Sequence, residues 1–209
     1  MTARRIVLLG PPGSGKGTQA VRLAAWLGVP HISTGDLLRN EVQNRTELGL
    51  QAQSFMDRGE LVPDQLVAEM IRQRIKGATG FVLDGFPRNI KQAEILETVT
   101  TVERALHFQL NREEIIRRLS ARRVCPQCGA VYNLISSPPQ HNSLCDKCKI
   151  ALVQRSDDTP EVIQRRIDVQ YAREIRPILE FYRKRNVLRE IDAQGDIESV
   201  YRAAQQALE

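Results

Sequence analysis

Gly10-Pro11-Pro12-Gly13-Ser14-Gly15-Lys16-Gly17-Thr18, near the start of the chain, decides how the rest is read. Residues 4–9, just before it, are a short run of β-branched residues and leucine, the pattern of a buried strand. After it, Val21, Leu23, Ala24 and Leu27 recur at helical spacing. A glycine-rich turn in that position suits phosphate. Its backbone N–H groups are free to curl around an anion, and the following helix adds the positive end of its dipole. Lys16 brings a mobile cation for the β- and γ-phosphates. The bland alternative is an ordinary glycine turn in an α/β unit, and the placement between strand and helix argues against it.

One position departs from the commonest form of such loops. Ser or Thr usually follows the lysine, with its hydroxyl on Mg²⁺. Here Gly17 stands there and Thr18 comes one residue later.

Working outward, further strands are predicted at 29–32, 81–83, 105–110 and 187–191. Helices are predicted at 15–27, 34–44 (capped by Ser33 or Thr34), 48–58, from Asp64, 90–99, 113–122, 160–185 and from Gly195 or Asp196. Strands alternating with helices imply an α/β fold, a doubly wound five-stranded parallel sheet. Residues 124–158 break the alternation. They hold all four cysteines, several prolines and short β-like pieces at 130–133 and 150–154, as in a small insertion lacking a hydrophobic core of its own.

Composition narrows the classes. Hydrophobic residues make up 42% and charged residues 26%, which excludes global disorder. No apolar run approaches the roughly 20 residues of a membrane span, so no membrane association is expected. The apolar start is too short for a signal-peptide core and meets Gly10 at once, so a cytoplasmic protein is expected. The formal charge of +5 favours anionic partners, nucleotides or nucleic acid, without choosing between them.

Cys125-Pro126-Gln127-Cys128 and Cys145-Asp146-Lys147-Cys148 form two C-x2-C knuckles. Each offers two thiolates, and together they complete a tetrahedral structural zinc site with no open position. Iron, a disulfide pairing or empty thiols are the alternatives.

Beyond these signals, the chain resembles the adenylate kinase family over nearly its whole length. Gly-Lys-Gly-Thr at 15–18 is similar to nucleoside monophosphate kinases, in which magnesium is held largely through water. Ser33-Thr34-Gly35-Asp36-Leu37-Leu38-Arg39 resembles the segment that opens the monophosphate site, and Gly59-Glu60-Leu61-Val62-Pro63-Asp64 the exit from that insertion. Asp84-Gly85-Phe86-Pro87-Arg88 with Gln92 is the most diagnostic match, and Gln154-Arg155-Ser156-Asp157-Asp158 matches the return of a lid. The resemblance implies a P-loop NTPase-type core at 1–32, 63–121 and 159–209. It also implies a helical NMP-binding insertion at 33–62 and a zinc lid at 122–158.

The resemblance also implies roles. Lys16, Arg88, Arg122, Arg155 and Arg166 would be catalytic. ATP would lie on Gly13, Ser14, Gly15, Lys16, Gly17, Thr18, Arg118, Arg122, Val131, Tyr132 and Gly195. AMP would lie on Thr34, Arg39, Glu60, Leu61, Val62, Gly85, Phe86, Pro87, Arg88, Gln92, Arg155 and Arg166. Asp84 would order magnesium-bound water, and Cys125, Cys128, Cys145 and Cys148 would hold zinc. The partners would be ATP, AMP and ADP, with no nucleic acid, and the protein a monomer.

The residues themselves agree with such chemistry. Arg118 and Arg122, four apart on the predicted helix, would share a face and converge on one polyanion. No nucleophile–base pair is evident: His31, His107 and His141 are isolated, and His107 falls inside a predicted strand. A phosphate acceptor needs none, because a monophosphate is already nearly a dianion at neutral pH, and positioning and charge neutralisation remain. The whole reading requires the Lys16 and Arg88 turns to face one cleft. Two other readings stand beside it: a kinase using UMP or CMP as acceptor or GTP as donor, and a zinc-ribbon nucleic-acid module. Only Tyr132 offers a stacking ring near the ribbon, which weighs against the latter.

Overall fold

The computed structural model of the chain describes residues 2–141 and 143–209. Met1 and Asn142, which fall in the expected core and lid, lie outside the described residues. In chain order the elements begin β1 (Arg5–Leu9), α1 (Lys16–Leu27), β2 (His31–Ser33), α2 (Thr34–Gln43), α3 (Glu47–Asp57) and α4 (Asp64–Ile75). Next come β3 (Phe81–Asp84), α5 (Ile90–Val99), β4 (Arg104–Gln109), α6 (Arg112–Ser120), β5 (Arg122–Val124) and β6 (Val131–Asn133). A 3-10 turn (Ser156–Asp158), α7 (Pro160–Arg165), a π-helical stretch (Arg166–Ala172), α8 (Ile175–Lys184), β7 (Leu188–Asp192) and α9 (Ile197–Gln206) complete it.

The five-stranded sheet runs β2-β3-β1-β4-β7, every pair parallel. Strand alternation sorts the core onto two faces. Ile6 and Leu8 pack with Val82, Leu106 and Phe108 against α1 and α9 through Ala20, Leu23, Val200 and Ala204. Val7, Leu9, Leu83 and Ala105 face the other way, onto Leu38, Ala52, Ile71, Leu96, Ile178 and Tyr182 from α2, α3, α4, α5 and α8. Covering both faces is what a parallel sheet requires. It places the loops after β1 and β3 side by side at the carboxyl edge, because Leu8 is in register with Asp84. No helix among the described residues is long and apolar enough to cross a membrane.

Two helix expectations need correction. The helix expected at 113–122 ends at Ser120, with Ala121 as its C-cap, and Arg122 opens β5 opposite Asn133. Arg118 and Arg122 therefore do not share a helical face. The helix expected at 160–185 is three pieces. Pro177 has no N–H to offer the Arg173 carbonyl and crowds it, so the chain turns at Arg173 and Glu174 before α8 begins. The preceding stretch winds as a π-helix, a form that collects at functional positions. The piece expected at 150–154 makes only isolated bridges, Val124 to Val153 and Leu144 to Ala151.

Candidate active site

The turn after β1 is built to receive an anion. Gly15 caps α1 at φ 82°, with no side-chain cap and no acidic residue in the first turn. The first N–H groups of the helix are thus left for a ligand. Ser14 is buried, and its Oγ has no partner among the described residues. Lys16 Nζ donates to the Pro11 carbonyl at 3.0 Å. Gly17 has a steric reason to stand where Ser or Thr is usual: a Cβ there would lie 3.1 Å from Asp84 Oδ2. The carboxylate at the end of β3 takes the space a hydroxyl side chain would need.

The facing wall is the turn from Gly85 to Arg88. Gly85 adopts φ 81°, the Phe86–Pro87 peptide is cis, and Phe86 is sunk in the core. The Gly85 carbonyl accepts from Thr34 Oγ1 at 2.8 Å and from Arg88 Nε at 2.8 Å. Ser33, not Thr34, caps α2, accepting from Asp36 N–H. Gln92 Oε1 accepts from the Arg88 N–H at 2.7 Å, while its Nε2 donates to Asp64 Oδ1 at 2.8 Å. Each end of the amide makes one such bond, so Gln92 holds the turn and still has one N–H and one oxygen lone pair for a further partner.

Further arginines close the third side. Arg122 makes a two-pronged pair with Asp158, whose side chain is fully buried. Arg166, on the π-helical stretch, reaches Asp157 at 3.0 Å and Asp158 at 3.2 Å. Arg39 pairs with Asp36. Glu60 carries salt bridges to Arg58 at 2.9 Å and to Arg165 at 2.7 Å.

Two adjoining cavities share Gly85, Arg88, Arg166 and Gln170. The first adds Thr34, Arg39, Glu60, Leu61, Val62 and Gln92; the second adds Gly10, Pro12, Lys16 and Tyr171. Lys16 and Arg88 therefore face one cleft. Lys16, Arg39, Arg88, Arg166, Glu60 and Asp157 line the cavities and Arg122, Arg155, Asp36, Asp84 and Asp158 stand close by, six cations to five carboxylates. Burial, with Arg88, Arg166 and Arg122 nearby, pulls the Lys16 ammonium down to about 8 against the opposing pull of Asp84. Burial likewise lowers Arg88 and Arg155 to about 10. Burial alone would raise Asp157, but Arg166, Arg122, Arg39 and Arg155 hold it below the ordinary carboxylate range. Crowded, poorly solvated cations of this kind are relieved by a bound polyanion.

Several of the expected donor contacts do not line these two cavities. Arg118 is turned to Glu114 at 2.7 Å. The Tyr132 hydroxyl accepts from the Asp146 N–H at 2.9 Å and sits 3.6 Å from Cys145 Sγ, so it addresses the cysteines. Val131 is exposed, and Gly195 lies exposed beyond β7, ahead of α9. His107 is buried, with Nε2 2.9 Å from the Tyr171 hydroxyl. Sequence reasoning assigned no role to Gln170, Asp64 or Asp158. Each acts through distant partners, and only the paired Asp157-Asp158 stood out as a signal.

The two knuckles are near copies. Gly129 N–H donates to the Cys125 carbonyl at 3.0 Å, and Lys149 N–H to the Cys145 carbonyl at 2.8 Å. Cys128 and Cys148 N–H groups approach Cys125 and Cys145 Sγ at 3.5 and 3.4 Å. No pair is disulfide-bonded, and the four sulfurs lie within 4.8 Å of one another, Cys128 to Cys145 at 3.6 Å. Tetrahedral zinc with bonds near 2.3 Å needs sulfurs roughly 3.8 Å apart, so the residues fit that metal. Asn133 ties this unit to the core, donating to the Arg118 carbonyl at 2.9 Å.

The comparisons with known proteins agree with this geometry. The adenylate kinase family model matches residues 8–187. An adenylate kinase of Methanocella arvoryzae is 48% identical over 94% of this chain and 94% of its own. One of Thermotoga maritima is 44% identical over 93% and 92%, and one of Archaeoglobus fulgidus 42% identical over 98% and 97%. With the phosphate turn, the Arg88 turn and the arginine-lined cleft in place, the chain belongs to the adenylate kinase family.

Proposed function

We propose that this chain catalyses the reversible, magnesium-dependent transfer of the terminal phosphoryl group of ATP to AMP, giving two ADP. The observation that supports this most is the excess of buried cations between the Lys16 turn and the Arg88 turn, a space suited to two polyanions in line.

In this reading residues 1–32, 63–121 and 159–209 are the core, 33–62 the monophosphate insertion and 122–158 the lid. Backbone N–H groups of 13–18 hold the donor's phosphates, with Lys16 on the β- and γ-groups and Val131, Tyr132 and Gly195 toward its nucleoside. The monophosphate lies against Thr34, Arg39, Leu61, Val62 and Arg88. An acceptor phosphate oxygen attacks the γ-phosphorus, the new O–P bond forms as the β–γ bridging bond breaks, and ADP leaves with the electron pair. No base is required, since the second ionisation of the acceptor phosphate lies at about 6. Arg88, Arg122, Arg155 and Arg166 steady the migrating charge. Magnesium, when bound, supplies charge neutralisation on the donor's phosphates, and Asp84 would order its water. Zinc on the four cysteines would be structural. Closing the lid excludes water, which would otherwise compete as acceptor. A monomer in the cytoplasm completes the reading.

A coupled assay of purified protein with ATP, magnesium and AMP, UMP, CMP or GMP tests it. AMP is expected to turn over fastest; faster turnover of UMP would overturn the assignment.

A further inference from the structure

Gln170 stands where the two cavities meet and belongs to the lining of both. Its amide bridges two separate parts of the molecule. Gln170 Oε1 accepts from Arg88 Nη1 at 3.2 Å, and Gln170 Nε2 donates to the Glu60 carbonyl at 3.2 Å. The direction of the amide is not ambiguous, because a guanidinium only donates and a carbonyl only accepts. Arg88 is thereby gripped twice, Nε on the Gly85 carbonyl and Nη1 on Gln170, while its Nη2 makes no hydrogen bond among the described residues. The fork is held with one nitrogen left for an oxyanion.

Gln170 lies on the π-helical stretch Arg166–Ala172. Arg166 and Gln170 both enter the cleft from that stretch, and neighbouring Tyr171 is pinned to His107 on β4. Glu60 sits at the exit of the segment 33–62, where its carboxylate also binds Arg165 just ahead of the same stretch.

We propose that Gln170 is a positioning residue for the acceptor site, presetting the Arg88 fork and tying it to the segment 33–62 through the Glu60 carbonyl. This rests on the phosphoryl-transfer reading, with a monophosphate as the ligand of Arg88. Binding of the acceptor phosphate and seating of that segment are then one coupled event. Loss of the amide frees the fork and selectively weakens acceptor binding.

The test uses Gln170→Met, which keeps length and removes both hydrogen bonds, and Gln170→Ala, in steady-state kinetics varying AMP and ATP separately. KM for AMP is expected to rise about tenfold, the scale of one hydrogen bond to a charged group, with KM for ATP changed less than about twofold. In an Arg88→Lys background the same substitutions should add less than about twofold, because the group they position is already gone. Equal rises for both nucleotides, or a full additional rise in the Arg88→Lys background, would overturn the proposal. An inactive parent chain would sink the phosphoryl-transfer reading instead, whereas an active parent with unaltered Gln170 variants sinks this inference alone.

Discussion

The cleft and the cysteine unit are both clusters of chemically demanding side chains, and they are built on opposite principles. Around Lys16 and Arg88, cations outnumber carboxylates, donors are left over and burial opposes the charges present. Around the cysteines, two matching knuckles bring four sulfurs together with no position to spare. The first cluster is incomplete without a ligand that comes and goes. The second, on the proposed reading, would be completed by one ion that stays. The contrast separates a site from a staple: unsatisfied charge marks turnover, saturated geometry marks scaffolding.

Lys16→Ala challenges the comparison most severely. Turnover should fall by about a thousandfold, the scale of losing a preorganised phosphate contact. The melting temperature without nucleotide should hold or rise slightly, because a cation disfavoured by burial has been removed. A rate within a few-fold of the parent would contradict the cleft assignment.

Cys145→Ser should behave the other way round. Loss of a zinc ligand is expected to lower the melting temperature by roughly 10 °C, while turnover at 20 °C stays within about threefold. Unchanged melting in protein shown by elemental analysis to lack metal would remove the scaffolding role.

The smallest effect probes how closely the knuckles match. Gly129 takes φ 71° without strain, whereas Lys149 takes φ 58° at the equivalent place. A left-handed lysine costs about 1 kcal/mol, so Lys149→Gly should raise the melting temperature by about 1–3 °C with no change in rate. A drop on calorimetry would mean the two turns are not equivalent.

Much of this was legible from spacing. The glycine-lysine turn, the cysteine knuckles and the five strands are local patterns, written in neighbouring residues and in periodicities of two and 3.6. The misread helices show the limit. Residues 113–122 scan as one helix, but Arg122 leaves it to pair with Asn133, eleven residues downstream. Residues 160–185 scan as one helix too, yet Pro177 and the cleft divide it. The Gly17 departure is visible in the sequence, and its cause, the Asp84 carboxylate 67 positions away, is not.

The sequence by itself therefore determined the α/β architecture, the phosphate turn and the thiol set, since each depends on residues close along the chain. Only the tertiary structure decided which arginines share a cleft, that Gln92 is internally bound, and that Gln170 bridges Arg88 to Glu60. Those are meetings of side chains from separate elements, and in a low-dielectric interior the strength of a charge depends on what stands beside it in space.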